Sequence, residues 1–157
     1  MTGQAEVDRL RQQLDATFKR VTELNSLDVS LEVLSDYARY LCVLTSGYLE
    51  KAVVEHILEY VRNHSDGRIQ KHIEQRLRQL TNLKTERLIQ TVGNFDPEWR
   101  IVMETLLVDE YKDALDSVVN LRNNISHGQQ VTVTISRITE YYGRIKVVVD
   151  RVGQLCH

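Results

Sequence analysis

Residues that break helices are scarce in this chain, and this scarcity limits the folds open to it. Its 157 residues include one proline and seven glycines. Both residue types interrupt helices, and folds rich in β-turns need many of them. Hydrophobic residues make up 42% of the sequence, which is enough for a domain of this size to bury a core without disulfides or metals. We therefore expect an all-α fold of long helices.

The periodicity of apolar residues places the longest helix at residues 30–63. Its middle is apolar on nearly all sides, as expected for a central helix that other helices surround. Gly47 lies inside it and costs about 1 kcal/mol relative to alanine. We expect such a glycine to allow the close approach of another backbone.

The remaining helices can be placed from apolar spacing and cap residues. A narrow apolar stripe predicts a first helix over residues 5–24, which either docks onto the domain or makes a coiled-coil-like contact with a partner. A turn at residues 25–28 divides an N-terminal amphipathic helix, residues 1–26, from a helical domain, residues 27–157. Further helices are predicted over 68–80, from an Asn82 cap to Gly93, from an Asp96 cap through Pro97 to His127 with a break near Asp109, and after a Thr134 cap. Residues 129–133 alone look strand-like, and they are too few for a sheet.

Charge and cysteine content limit the partners and the compartment. The net charge of −2 creates no global attraction for nucleic acid, so any RNA contact must use a local basic surface. Cys42 and Cys156 are isolated, which favours a reducing compartment and predicts neither a disulfide framework nor a metal site. The longest uncharged apolar run, residues 40–49, is too short to cross a bilayer, and the N-terminus is polar. We expect a soluble cytoplasmic protein without a membrane partner.

The segment 121–128 (LRNNISHG) combines residue types that suit RNA cleavage. Cleavage by the RNA's own 2′-hydroxyl requires a base, an acid and a positive charge for the phosphorane. His127 can act as acid or base near neutral pH, and the Arg122 guanidinium offers a permanent charge. This chemistry needs no metal, so no cofactor is expected. The alternative is structural, because arginine and histidine also suit the negative end of a helix dipole, and Asn123 and Gly128 are ordinary termination residues.

Helix geometry complicates a site made by one chain. At about 100° per residue, Arg122 and His127 lie about 140° apart around the helix axis, whereas Asn123 and His127 share a face. Helix geometry alone leaves two solutions open: the arginine side chain bends around the helix, or the last turn unwinds.

The Arg-x4-His pattern at Arg122 and His127, with Asn123 after the arginine, resembles the HEPN family. The stretches 40–50 (YLCVLTSGYLE), 82–84 (NLK) and 95–99 (FDPEW) resemble its RiboL-PSP branch, which occurs beside bacterial defence and toxin genes. The resemblance covers about residues 31–152 and leaves the first helix outside. It implies an antiparallel HEPN-type helical bundle with an extra N-terminal helix. It further implies a homodimer whose site uses both motifs, which is a third solution to the geometry of Arg122 and His127. It also implies a metal-independent endoribonuclease with Arg122, His127 and Asn123 as catalytic residues.

The same resemblance implies a toxin–antitoxin or phage-defence setting, with RNA as substrate and an antitoxin or effector protein as partner. It assigns supporting or substrate-binding roles to Ser46, Glu50, Asn82, Lys84 and Arg87. A buried Glu50 would need a partner, for which Arg122 is the candidate. The alternative, which the sequence leaves equally open, is that Glu50 points to solvent. The basic stretch 68–87 either contacts the RNA backbone or, as we favour for Arg76 and Arg78, is a solvated helix face.

Two other functions remain open from the sequence. In the first, the chain is a HEPN module without catalytic activity that binds RNA, a nucleotide or a protein. In the second, it is a helical scaffold whose first helix recruits a partner.

Overall fold

The structure, a computed structural model, describes residues 2–157, and in that range it contains helices and no strand. This confirms the all-α fold class. The seven helices are α1 Gly3–Asn25, α2 Leu31–His64, α3 Gly67–Leu77, α4 Thr85–Gly93, α5 Pro97–Leu106, α6 Asp109–Ser126 and α7 Ile135–Cys156. No helix of the described range combines the length and apolar character that a bilayer crossing requires.

The longest helix, α2, is the centre of the fold. Ser30 caps its start by accepting a hydrogen bond from the Val33 N–H at 3.3 Å, and Leu41, Leu49 and Ile57 are completely buried along it. Helices α1, α3, α6 and α7 all pack against α2. The expected close approach at Gly47 is wrong, because an added Cβ there would have no neighbour within 4 Å. This glycine lies on a side of α2 that the chain leaves open.

The first helix belongs to the same hydrophobic core as the rest of the chain. Its apolar stripe, which contains Val7, Leu14, Phe18 and Val21, is buried against the other helices. This is the docking alternative, and it leaves no apolar stripe on α1 for a coiled-coil partner. The division at residue 26 coincides with the turn between α1 and α2 and stays a prediction as a domain boundary.

Polar contacts also tie α1 to the helices beneath it. Arg11 donates hydrogen bonds to the Tyr48 hydroxyl at 2.8 Å and to the Asp150 carboxylate at 2.6 Å. The Tyr142 hydroxyl donates to Asp15 at 2.6 Å, and the Tyr142 ring stacks on Phe18 at 4.3 Å between centroids. These residues from α1, α2 and α7 form what we call the α1–α7 clamp.

The start of α4 differs from the prediction. Its N-cap is Lys84, which makes no side-chain cap hydrogen bond, so the predicted Asn82 cap is wrong. The Thr85 N–H instead donates to Asp116 of α6 at 2.8 Å. Asn82 adopts the left-handed conformation with φ of 53°, which asparagine tolerates better than most residues. The preceding helix, α3, ends at Leu77, earlier than the predicted residue 80.

Local signals placed α5, α6 and α7 correctly. Asp96 accepts a hydrogen bond from the Glu98 N–H at 2.8 Å, with Pro97 as the first helical residue. The expected break lies at residues 107–108, between α5 and α6. Thr134 caps α7 by accepting from the Arg137 N–H at 3.0 Å. The strand-like segment 129–133 is a connection between α6 and α7, with Val131 and Val133 buried.

Candidate functional site at the end of α6

The end of α6 is a tightly defined structure that fixes the position of His127. The Gln129 N–H donates to the Asn124 carbonyl at 2.9 Å, and the Gly128 N–H donates to the Ile125 carbonyl at 3.1 Å. These two bonds, with Gly128 at φ of 71°, form a Schellman motif. His127 is the C-cap residue of α6 and is exposed to solvent. These backbone bonds fix where the His127 side chain leaves the helix, at the surface.

Arg122 leaves α6 on another side and lies near α2. The half-buried Glu50 carboxyl of α2 feels three effects: burial raises its pKa, while the nearby charge of Arg122 and a hydrogen bond from the Asn82 N–H lower it. The net result is a pKa raised above the usual value for a glutamate. The structure therefore brings Glu50, Asn82 and Arg122 together, with residues from α2, the segment before α4 and α6.

The guanidinium of Arg122 keeps its donors free in this arrangement. Within residues 2–157 it forms neither an ion pair nor a hydrogen bond to another side chain, although other arginines of the chain do. Arg122 is half-buried. A half-buried guanidinium without a direct partner is suited to bind an incoming anion.

The last turn of α6 does not unwind, which removes one of the three solutions for the motif. The helix continues to Ser126, so the regular geometry applies to the whole interval. Five residues of regular helix separate Arg122 and His127 by about 140° and about 7.5 Å along the axis. One chain therefore directs the arginine towards α2 and the histidine towards solvent. Asn123, which directly follows Arg122 in the sequence, is half-buried.

The other predicted site residues lie in two different environments. Ser46 is on the same face of α2 as Glu50, one turn away, but only 2% of it is exposed. Lys84 and Arg87 are exposed at the start of α4, and the hydrogen bond from Thr85 to Asp116 joins this region to α6. Of the basic residues that the sequence favoured as a solvated face, Arg78 is paired with Glu74 at 2.8 Å.

A polar groove beside the motif was missed by the sequence analysis. It has a volume of about 610 Å³ and lies between α6, residues 132–134 and the start of α7. Asn120 and Asn124 of α6, and Arg137 and Tyr141 of α7, contribute to its walls. The spacing of the two asparagines, four apart and in line with His127, was a signal in the sequence. No signal in the sequence indicated that these asparagines lie beside α7, because that depends on tertiary packing.

Metal binding finds no obvious place in the part of the chain that the structure describes. Residues 2–157 contain no cluster of three or more histidine, cysteine, aspartate or glutamate side chains with the geometry to hold a metal ion. The Arg122 charge acts on the Glu50 carboxyl, which also accepts from the Asn82 backbone amide. The arrangement offers a positive charge and, on another side, an acid–base group.

Comparison with known families gives a match over most of the chain. The family model described as RiboL-PSP-HEPN matches residues 10–157. The match includes most of α1, which the resemblance noted in the sequence did not. No curated protein and no solved structure matches the chain.

Proposed function

Because the chain belongs to the RiboL-PSP-HEPN family, we propose that it is an endoribonuclease that cleaves RNA without a metal ion. Membership supports a nuclease or other RNA-related role. The finer assignment rests on one observation: α6 ends with a half-buried arginine free of ion pairs and, five residues later, an exposed histidine on a rigid cap. The substrate is RNA, and the site needs no cofactor.

The reaction we propose uses a hydroxyl of the substrate as the nucleophile. The 2′-oxygen attacks the adjacent phosphorus, its proton passes to a base, and the bond from phosphorus to the 5′-oxygen breaks as that oxygen takes up a proton. His127 serves as base or acid, and Arg122 stabilises the charge that grows on the phosphorane oxygens. Asn123 is the third member, as a polar group beside the reacting phosphate. Glu50, Ser46 and Asn82 support Arg122 from the α2 side.

A second copy of the chain completes the site in this proposal. Arg122 and His127 leave one helix on different sides, so a two-fold axis would bring the His127 of one copy near the Arg122 of the other. The homodimer is supported by an apolar stripe on α2 that the chain leaves uncovered, with Val33 40%, Tyr37 37% and Tyr40 52% exposed. Gly47 lies in the groove of about 450 Å³ beside this stripe, where its missing side chain leaves room for a partner.

The cellular setting we propose is toxin–antitoxin or phage defence in the cytoplasm, with an antitoxin or effector protein that restrains the nuclease. The sequence resemblance to the defence-associated branch of the family supports this setting. Co-purification of an inhibitory protein encoded by a neighbouring gene tests it, and the absence of such a neighbour favours another role.

A non-catalytic module that binds RNA or a nucleotide is the second candidate. One observation favours it: the polar groove of about 610 Å³ includes neither Arg122 nor His127 in its walls. A large polar groove separate from the acid–base group is what a pure binding module needs.

The two candidates are separated by incubating the purified protein with RNA in excess chelator. We expect cleavage of RNA to persist, because no metal generates the nucleophile. DNA of the same sequence should remain intact because it lacks the 2′-hydroxyl. Binding of RNA without cleavage would select the non-catalytic candidate. A monomeric mass at micromolar concentration, measured by light scattering, would contradict the two-chain site.

A further inference from the structure

The groove beside α6 combines hydrogen-bonding, cationic and aromatic side chains. Its walls carry carboxamides from Asn120 and Asn124, a hydroxyl from Thr132, the Arg137 guanidinium and the Tyr141 ring. None of the residues that line it is acidic. Amide, hydroxyl and guanidinium groups together can hydrogen-bond a nucleobase edge and a phosphate, while an aromatic ring can stack on the base.

The Arg137 and Tyr141 side chains lie close enough together to contact the phosphate and the base of one nucleotide, respectively. The guanidinium carbon of Arg137 lies 6.0 Å from the centroid of the Tyr141 ring. Arg137 also pairs with Glu140 at 3.6 Å, but both side chains are more than half exposed. An exposed pair of this kind is weak, so a phosphate can replace the carboxylate at little cost.

His127 is not in the walls of the groove but lies in one row with two residues that are. Asn120, Asn124 and His127 follow one another at intervals of four and three residues, which places them in one row on a helix surface. Asn120, Asn124 and His127 are all exposed. Arg122, in contrast, lies about 140° from His127 on the α2 side. A strand that extends from the groove along this row would therefore reach His127, whereas Arg122 lies on another side of α6.

A neighbouring groove is also polar, but its charged groups do not suit a phosphate. It has a volume of about 420 Å³ and lies by Arg39 of α2 and Gln130. Glu32 and Asp36 are in its walls, and Arg39 is hydrogen-bonded to Asp36. Two carboxylates repel a phosphate, so this neighbour is a poor RNA site, although its volume would admit a ligand.

We propose that the groove between α6 and α7 binds one nucleotide of single-stranded RNA that flanks the cleaved phosphate. The base stacks on Tyr141, the amides of Asn120 and Asn124 bond its edge, and Arg137 binds the phosphate. The position of the groove next to the cleavage point rests on the proposed ribonuclease function. The binding of a nucleotide there does not, because it depends only on the groove itself.

Binding is measured on the full chain carrying His127→Ala, so that the RNA stays intact. The probe is a fluorescent single-stranded oligoribonucleotide, and the dissociation constant is obtained by anisotropy. In this background Tyr141→Leu should weaken binding about 5- to 150-fold, which is the worth of one base–aromatic stack. Arg137→Ala should also weaken it and reduce its salt dependence. The matched control is Arg151→Ala, an exposed arginine on the same helix that lies outside the groove.

A second measurement avoids reliance on Tyr141, whose ring is half-buried and contributes to packing. Nuclear magnetic resonance spectra of the full chain are recorded during titration with adenosine 5′-monophosphate. Asn120 and Asn124 side-chain amide signals should shift, and Asn124→Ala, a change at an exposed position, should reduce the affinity. Shifts confined to residues outside the groove would overturn the proposal.

The outcomes distinguish the two proposals. If wild-type protein cleaves RNA and the groove variants bind and cleave as well as the Arg151→Ala control, the nucleotide subsite is wrong while the ribonuclease stands. If wild-type protein never cleaves but the groove variants lose binding, the subsite stands and the ribonuclease is wrong. If the groove substitutions change the binding of neither RNA nor mononucleotide, and a protein binds at the groove instead, the subsite is also overturned.

Discussion

The α1–α7 clamp and the end of α6 use similar polar residues in opposite ways. In the clamp, Arg11 donates to Tyr48 and Asp150, and Tyr142 donates to Asp15, so each polar group has a partner. At the end of α6, Arg122 and His127 have no side-chain partner among the described residues. The polar groups of the first region stabilise the fold. Those of the second region remain available to a ligand outside the chain.

This difference predicts which substitutions affect folding and which affect activity. A partnered, half-buried group leaves unsatisfied atoms when its partner is removed, and this destabilises the fold. Arg122 and His127 make no hydrogen bond or ion pair with a side chain of the described residues, so removing them leaves no such partner unsatisfied, although Arg122→Ala removes a charge that lowers the pKa of Glu50. The following variants test the contrast, beginning with the largest effect.

Loss of the acid–base group should produce the largest change in rate. His127→Ala should reduce RNA cleavage by about 10²- to 10⁴-fold, and Arg122→Ala by a comparable factor. Arg122→Lys should not restore the full rate, since a point charge does not reproduce the planar fork. Melting temperatures should stay near that of the wild type. A variant that loses activity only because it unfolds would remove the contrast between the two regions.

Loss of the clamp arginine should change stability instead. Arg11→Ala removes donors from Tyr48 and Asp150 and should lower the free energy of unfolding by about 1–3 kcal/mol. The cleavage rate of the folded fraction should not change. Urea denaturation measures the first quantity and a single-turnover assay the second. The matched control is Arg9→Ala, whose ion pair with Glu6 lies on the exposed side of the same helix and should matter little. Equal losses for both variants would show that the clamp is not special.

The basic surface at the start of α4 should give a smaller effect, on RNA binding. Removing the charges of Lys84 and Arg87 should weaken binding several-fold, and more than removing those of Lys112 and Lys146. Lys112 already pairs with Asp116 at 2.9 Å and Lys146 with Asp15 at 3.3 Å, so neither is free for a phosphate. The difference should shrink as salt rises. Equal effects at all four positions would place the RNA on another face.

The last effect is a pH dependence of stability that originates at His56 of α2. His56 is 1% exposed, and burial, followed by the charge of His157, lowers its pKa from 6.5 to about 4. The unfolded chain therefore binds more protons between these values, so stability should rise with pH from about 4 to 6.5. The raised pKa of Glu50 acts in the opposite direction, since stability from that group falls as pH rises through its folded value. Thermal melts at several pH values measure the sum, and His56→Leu should reduce the slope. If His56→Leu leaves the slope unchanged, other groups cause the pH dependence of stability.

Local signals explain most of what the sequence predicted correctly. The Asp96 cap with Pro97, the Thr134 cap and the Gly128 stop depend on residues within one turn of each other. Such hydrogen bonds form whatever the rest of the chain does. The apolar period of α2 likewise follows from its own residues, and it placed the central helix correctly.

The errors arose where distant residues decide the outcome. Asn82 looked like a cap, but the Thr85 N–H that starts α4 is bonded to Asp116, which lies 31 positions away. Gly47 looked like a packing contact, but the side of α2 on which it lies is left open by the other helices. The groove escaped notice because Asn124 and Tyr141 meet only after α6 and α7 have packed. The candidate motif itself was visible because its residues are adjacent in the sequence.

The ends of the RNA products test the central claim most directly. If the 2′-oxygen is the nucleophile, mass spectrometry of the products formed in excess chelator should find a 2′,3′-cyclic phosphate, or its hydrolysed form, on one fragment and a free 5′-hydroxyl on the other. His127→Ala protein prepared in parallel should give neither within the same time. Products with a 5′-phosphate and a 3′-hydroxyl, or cleavage that chelator abolishes, would contradict the account.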